Sequence, residues 1–471
     1  MMKKIMMIVI AASMSLSLFG CFDEDGSSIN NTQVNQEQAG NEQTSNDQTS
    51  NGQTNTGEIN NNEGSEQTSN DQTNKEQAST EQSNTGLATG TPATNEIIDD
   101  ENFGDTVNKF AYKTSSKFIN DSDNNCNYSP ISLYYALAVA TDGSNGDTQK
   151  ELLNLLGVSS TDKLSGRCKQ LYLDLNKDST QSKIKIANSM WISKDFTNVY
   201  DNFKNNAKEN YFAPVYDDMN FKSGTDLLRM TKWVSDNTNN TLNPKFTDMN
   251  EAEIAIINTI YFHNEWLDGF SEDLVSDGTF HANSKDEDVT FMRKTDESSS
   301  YAKGEGFTRS SLTFKDGCSM VFILPDEGVK TTDLLATAEK SKETFEGGTK
   351  GNANVKWEVP KFGFDCSFNM IDELKKLNVT LPFSGTDADF TNISKDRLYI
   401  SKIRQDTHIN IDVKGVEASG FTVVEMCKGA WSDPEEEVKV VNMKLDRPFI
   451  YGIKNRNGTL LFTGVCNNLA K

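Results

Sequence analysis

Basic residues are scarce in this chain of 471. There are 46 lysines and arginines against 69 acids, a formal charge of −23. An acidic body with no basic stripe excludes general nucleic-acid binding, which depends on Lys and Arg neutralising phosphates. Histidine is rarer still, three in all (His263, His281 and His408), and none sits in H-E-x-x-H. There is no G-x-S-x-G elbow and no phosphate-cradling glycine loop, so no enzyme announces itself by motif. A dispersed Ser/His/Asp set can be assembled from any long chain, and a surface hydrolase built that way is disfavoured. The seven cysteines form no C-x-x-C pair, which removes the zinc-ribbon and redox readings. No metal site and no cofactor are expected. Long apolar runs are missing beyond the N-terminus, which excludes a protein of many membrane-spanning helices.

The N-terminus reads as an export signal. Lys3 and Lys4 precede an apolar stretch from Ile5 to Phe19, too short for an ordinary spanning helix. Leu18-Phe19-Gly20-Cys21 closes it and resembles the bacterial lipoprotein box, in which the Cys becomes the lipidated first residue. Residues 1–20 are therefore expected to be removed, leaving Cys21 to anchor the chain on the outer face of the cell membrane. Ordinary secretion, with Cys21 incidental, is the alternative.

Residues 21–101 read as a tether. Between Phe22 and Phe103 there is no aromatic residue, and Glu42–Thr49 recurs unchanged as Glu66–Thr73. Residues 22–101 hold 16 acids and one base, Lys75. Such a segment buries too little apolar surface to offset the entropy of ordering it. As a flexible coil of about 80 residues it reaches roughly 50 Å. Residues 102–471 carry a charge of −10 and are long enough to fold without disulfides. Export permits disulfides among the six further cysteines, but spacing does not say which, if any, pair.

In this body, helices are predicted at Phe103–Asn120, Ile131–Ala140 and Gln149–Leu156, the last closed by Gly157. Strands are predicted at Ile184–Ile192, Ser319–Leu324, Val355–Val359, Leu398–Ile403, Ile409–Val413, Phe449–Ile453 and Leu460–Gly464. Helices dominate the first half and strands the second, an α+β pattern.

Several short motifs follow one another in a fixed order. Asn127-Tyr128-Ser129-Pro130-Ile131-Ser132-Leu133 precedes Gly146-Asp147-Thr148. Ile257-Asn258-Thr259-Ile260-Tyr261-Phe262 runs on to Trp266 and Phe270, and Ser319–Pro325 follows. Then come Val359-Pro360-Lys361-Phe362, Ala388–Ile393, Asp446-Arg447-Pro448-Phe449 and Leu461–Val465. In this order, over essentially all of 102–471, they resemble the serpin family. The resemblance implies one α+β domain with three β-sheets, eight or nine helices and an exposed reactive loop. It implies an inhibitor, not an enzyme: a peptidase cuts the loop, and the loop inserts into the central sheet with the peptidase still attached. The resemblance also points to a monomer with an extracellular serine peptidase as partner.

The hinge of that loop is Gly415-Val416-Glu417-Ala418-Ser419-Gly420. From Val416 onward one alternating set, Val416, Ala418, Gly420, Thr422 and Val424, is small or uncharged, while Glu417 and Glu425 fall on the other. A strand of period two buries the first set and leaves both acids outside. Against the family pattern, Val413 replaces an acid, Val416 a Thr or Ser, and Phe421, on the outward set, a small residue. Val413 leaves open a non-inhibitory serpin acting as a binding or carrier protein, against which the alternation argues. Family spacing places the cleaved bond at Gly429-Ala430, suiting elastase- or subtilisin-like peptidases. A loop one residue shorter places it at Lys428-Gly429, suiting trypsin-like ones. Ser129, Ser132 and Asn258 match members of the family's buried polar network, and Gln405 stands where a His is usual. Gln donates and accepts, so the network is expected to survive without the imidazole's pH response. His408 is placed on a following strand, and Trp266 at the top of the central sheet.

Overall fold

A computed structural model of the chain describes residues 102–119, 123–179, 181–196, 198–247, 249–416 and 439–469. Nine α-helices lie among them: α1 (Phe103–Phe118), α2 (Pro130–Gly143), α3 (Gly146–Leu156), α4 (Thr161–Leu175), α5 (Asp201–Tyr211), α6 (Gly224–Asn237), α7 (Thr331–Leu334), α8 (Ala338–Glu346) and α9 (Ile371–Lys375). The three helices expected from sequence are α1, α2 and α3. Ser129 caps α2, its side chain accepting from the Ser132 N–H, and Pro130 opens the first turn. Apolar on nearly every side, α2 is buried along almost its whole length. Gly157 ends α3 in the left-handed conformation, φ 71°.

The strands form two sheets. The larger runs β1 (Cys126–Tyr128), β16 (Leu460–Cys466), β15 (Phe449–Lys454), β9 (Ser319–Pro325), β8 (Phe307–Thr313), β7 (Asp286–Gly304), β10 (Thr349–Pro360) and β14 (Val440–Lys444), with β6 (Val275–His281) paired to β7. The smaller runs β11 (Phe362–Asn369), β12 (Ile400–Ile411), β13 (Gly415–Val416), β5 (Ile254–Glu265), β3 (Ser182–Ser193) and β2 (Lys177–Asp178), with β4 (Val215–Met219) paired to β3. The three sheets implied by the resemblance are counted as two here because β7 is long enough to join two of them. Its first part carries β6, and its last residues, Tyr301–Gly304, pair with β8.

Two expected strands, Leu398–Ile403 and Ile409–Val413, are one, and His408 therefore shares a strand with Gln405. The polar run between them hides the continuity. Arg404 and Asp406 form an ion pair at 2.8 Å, while Gln405 and Thr407 are buried and hydrogen-bonded.

The smaller sheet separates two cores. On β5, Ile254, Ile256, Ile260 and Phe262 enter the main core, while Ala255 and Ile257 pack with Trp191, Met230 and Val234 of α6's side in a second one. This is the alternation a two-sided strand requires.

Candidate functional site

β12 and β5 run parallel, paired from Ile400↔Ile254 to Asp406↔Thr259. Farther along, β13 stands between them. Val416 pairs with Asn264 of β5 and Ile411 of β12, and Gly415 pairs with Glu265. The chain reaches this position by a tight turn. The Asp412 carboxylate accepts from the N–H groups of Lys414 (2.8 Å) and Gly415 (3.2 Å), and the Asp412 N–H donates to the Gly415 carbonyl at 3.0 Å. Position 415 must be glycine for space. A Cβ there would lie 2.0 Å from the Asn264 carbonyl oxygen and 2.8 Å from the Glu265 Cα, both backbone atoms. Val416 is 2 % exposed and packs into the main core, on the inward face expected for it. Val413 is buried as well, its carbonyl accepting from the Phe270 N–H. An apolar side chain is thus accommodated where the family pattern has an acid.

Trp266 holds the start of this turn. Its indole N–H donates to the Asp412 carbonyl (3.1 Å), its backbone N–H to that of Lys414, and its ring stacks on Phe314 at 4.5 Å. One side chain fixes both the turn and the packing beneath it.

Below the hinge, four sequence-flagged residues meet in one buried network. The Gln405 amide donates to the Ser129 carbonyl and to Asn258 Oδ1, both at 2.9 Å, while its oxygen accepts the Ser129 N–H at 2.9 Å. The Asn258 amide donates to the Ser132 carbonyl (2.7 Å) and to Asn188 Oδ1 (2.5 Å). The Ser129 hydroxyl donates to the Leu461 carbonyl and that of Ser132 to the Thr259 carbonyl. Gln405 and Asn258 are cross-strand partners on β12 and β5. Their bond therefore spans the line along which the two strands would separate.

A family model described as Serpin (serine protease inhibitor) matches residues 105–469. The chain belongs to the serpin family. It is 26% identical over 384 residues to an uncharacterized serpin-like protein of Methanosarcina acetivorans, covering 78% of this chain and 87% of that one. It is 25% identical to the leukocyte elastase inhibitor of Homo sapiens, with 73% and 93% of the two chains covered. Among solved structures, Serpin48 of the insect Tenebrio molitor aligns with a TM-score of 0.69 at 25% identity, over 79% of this chain and all of that one. Serpins are serine-protease inhibitors as a family, and the α+β serpin fold is the one found here.

Of this serpin's expected functional residues, Gly415, Val416, Ser129, Ser132, Asn258, Gln405 and Trp266 are therefore located. Glu417, Ala418, Ser419 and Gly420 of the hinge, Lys428, Gly429 and Ala430 at the cut, and Cys21 lie outside the described residues, as do the signal segment and tether. Sequence reading missed Asn188 and Asp412. Asn188 was visible as the polar residue in the even-numbered row Ile184, Ile186, Met190, Ile192, whose other members are apolar and buried. Among the described cysteines, Cys168, Cys318, Cys366 and Cys466 carry free thiols. Burial pushes the thiols of Cys318 and Cys366 up to about 12, which leaves them protonated and unreactive at neutral pH.

Proposed function

We propose that this serpin inhibits an extracellular serine peptidase as a suicide substrate while tethered to the outer face of a bacterial membrane through lipid on Cys21. The peptidase serine attacks the Gly429 carbonyl. The amide nitrogen of Ala430 leaves with a proton, and an ester joins Gly429 to the peptidase. Loop insertion between β5 and β12 then competes with hydrolysis of that ester. The observation that carries this reading is the hinge itself. Gly415 and Val416 already pair with β5, Val416 pairs with β12 as well, and Val416 faces the core. The residues after Val416 keep the alternation that continued insertion needs.

Glycine at the cut favours elastase- or subtilisin-like peptidases, in keeping with the similarity to a protein named leukocyte elastase inhibitor. Lys428-Gly429 would favour trypsin-like ones. The inhibitor acts as a monomer. Incubation with a panel of serine peptidases tests the reading. The expected result is an adduct that survives denaturing electrophoresis and a released C-terminal fragment beginning at Ala430. A fragment beginning at Gly429 selects the second register. Clean cleavage without adduct by every peptidase favours the non-inhibitory, carrier-type reading.

A further inference from the structure

The end of α2, the start of α5 and the segment 389–393 enclose a polar cleft that shares no residue with the hinge or the network beneath it. Its volume is about 430 Å³, within the range of small-molecule sites. Backbone contacts fix the walls. The Asn145 N–H donates to the Asp389 carbonyl at 2.9 Å and the Tyr200 N–H to the Ile393 carbonyl at 2.8 Å, tying the segment to the residues that follow α2 and precede α5. Gly143 lets α2 come that close: a Cβ there would lie 2.6 Å from Ile393 Cγ1 and 2.9 Å from Phe203 Cε2. The Asn392 amide donates to the Ser144 carbonyl at 2.8 Å, and among the described residues nothing donates to its Oδ1.

A line of linked side chains ends at Asp142 of α2. Lys169 of α4 donates to Asn210 Oδ1 at 3.3 Å, the Asn210 amide to Asn206 Oδ1, and the Asn206 amide to Asp142 Oδ2 at 2.5 Å. Each link orients the next, so the carboxylate is held in one position. Among the described residues nothing donates to Asp142 Oδ1. Burial pushes the Asp142 carboxyl above its ordinary range, the Asn206 amide pulls it down, and Asp162 of α4 adds a smaller push up. A half-buried carboxylate with one oxygen unsupplied gains from any further donor.

The two open oxygens are acceptors, so a ligand must bring donors. Among the described residues no lysine or arginine lines the cleft, and Asp142 would repel a phosphate or a carboxylate. Tyr200, 41 % exposed, adds a flat apolar face beside the buried Phe203. A ring with hydroxyls around its rim and C–H bonds on its face meets all three conditions. We infer that this cleft binds a pyranose sugar, its face against Tyr200 and its hydroxyls donating to Asp142 Oδ1 and Asn392 Oδ1. The site is separate from loop cleavage and stands whether or not the protein inhibits a peptidase.

Saturation-transfer NMR on the whole protein tests the assignment, with glucose, galactose, mannose and N-acetylglucosamine as separate probes and tetramethylammonium as a cationic one. The parent is compared with Tyr200→Ala, Asp142→Asn and, as a control at another exposed apolar side chain, Leu173→Ala, each checked for folding by its thermal midpoint. Tyr200 is exposed, so its replacement leaves the fold in place even if Asp142→Asn loosens the contact between α2 and α5. The expected result is transfer to at least one of the sugars by the parent and by Leu173→Ala, with affinity about tenfold or more weaker in both Tyr200→Ala and Asp142→Asn. No transfer to any of the four sugars overturns the assignment, as does an affinity unchanged in either variant. Transfer to tetramethylammonium alone also overturns it, since ring and carboxylate would then hold a cation.

Discussion

Gln405 shows how much one side chain does in this molecule. Its amide closes three hydrogen bonds at 2.9 Å and carries no titratable proton, so the link across the seam is the same at pH 5 as at pH 8. In Gln405→Leu, the Ser129 N–H and Asn258 Oδ1 lose their Gln405 partner while still buried. At roughly 1–3 kcal/mol for each unsatisfied group, a destabilisation of about 3 kcal/mol is expected. Denaturant unfolding of the intact protein measures it, and an unchanged midpoint would show that the network does not hold the strands. Lys454 makes the opposite point. Burial pushes its amine down to about 8, with Glu346 pulling it up and Arg309 pushing it farther down. A lysine depressed on folding binds its proton less readily than in the unfolded chain. Stability therefore rises with pH between about 8 and the unfolded value near 10.4. Lys454→Met should flatten that rise and stabilise the protein at pH 7 by about 2–3 kcal/mol, checked by unfolding at pH 7 and pH 10.

At the scale of elements, β13 is two residues long and decides what the loop can do. Gly415→Ala drives a Cβ into backbone atoms of β5 that cannot rotate away. Overpacking of about 1–3 kcal/mol corresponds to a roughly five- to 150-fold loss of the threaded hinge. The variant should still be cut at the same bond but trap peptidase correspondingly less, read from the ratio of adduct to cleaved inhibitor. Equal trapping would show that the threaded hinge is not on the route to inhibition. Period-two alternation made the inward face of Val416 legible in the sequence, because a buried face tolerates no charge. Other strands were harder to read. β12 was divided in two by a polar run that pairs internally, and β7 carries so many Asp, Glu and Ser residues that no apolar alternation marks it. Strand identity there comes from neighbours on both sides, which a local pattern does not contain. The polar network was legible only as separate positions. Asn188 and Asp412 went unread because their roles depend on which strands come side by side.

The whole molecule combines an acidic folded body with the two segments before it, whose purpose is proposed from sequence. If Cys21 carries lipid, Cys21→Ala should leave the membrane fraction and keep full inhibitory activity. Recovery of the parent protein only in the medium and without lipid would contradict the anchor. In the proposed function, insertion beside β5, led by Val416, converts cleavage into inhibition. Val416 is the first inward side chain, and an arginine there must bury an unpaired charge at a cost of several kcal/mol. The most direct test is the stoichiometry of inhibition for Val416→Arg beside the parent, using the peptidase that forms the adduct. The parent should trap peptidase close to mole for mole, while Val416→Arg should be cut at the same bond and release active peptidase. If the two proteins trap peptidase equally well, insertion beside β5 is not how this serpin inhibits.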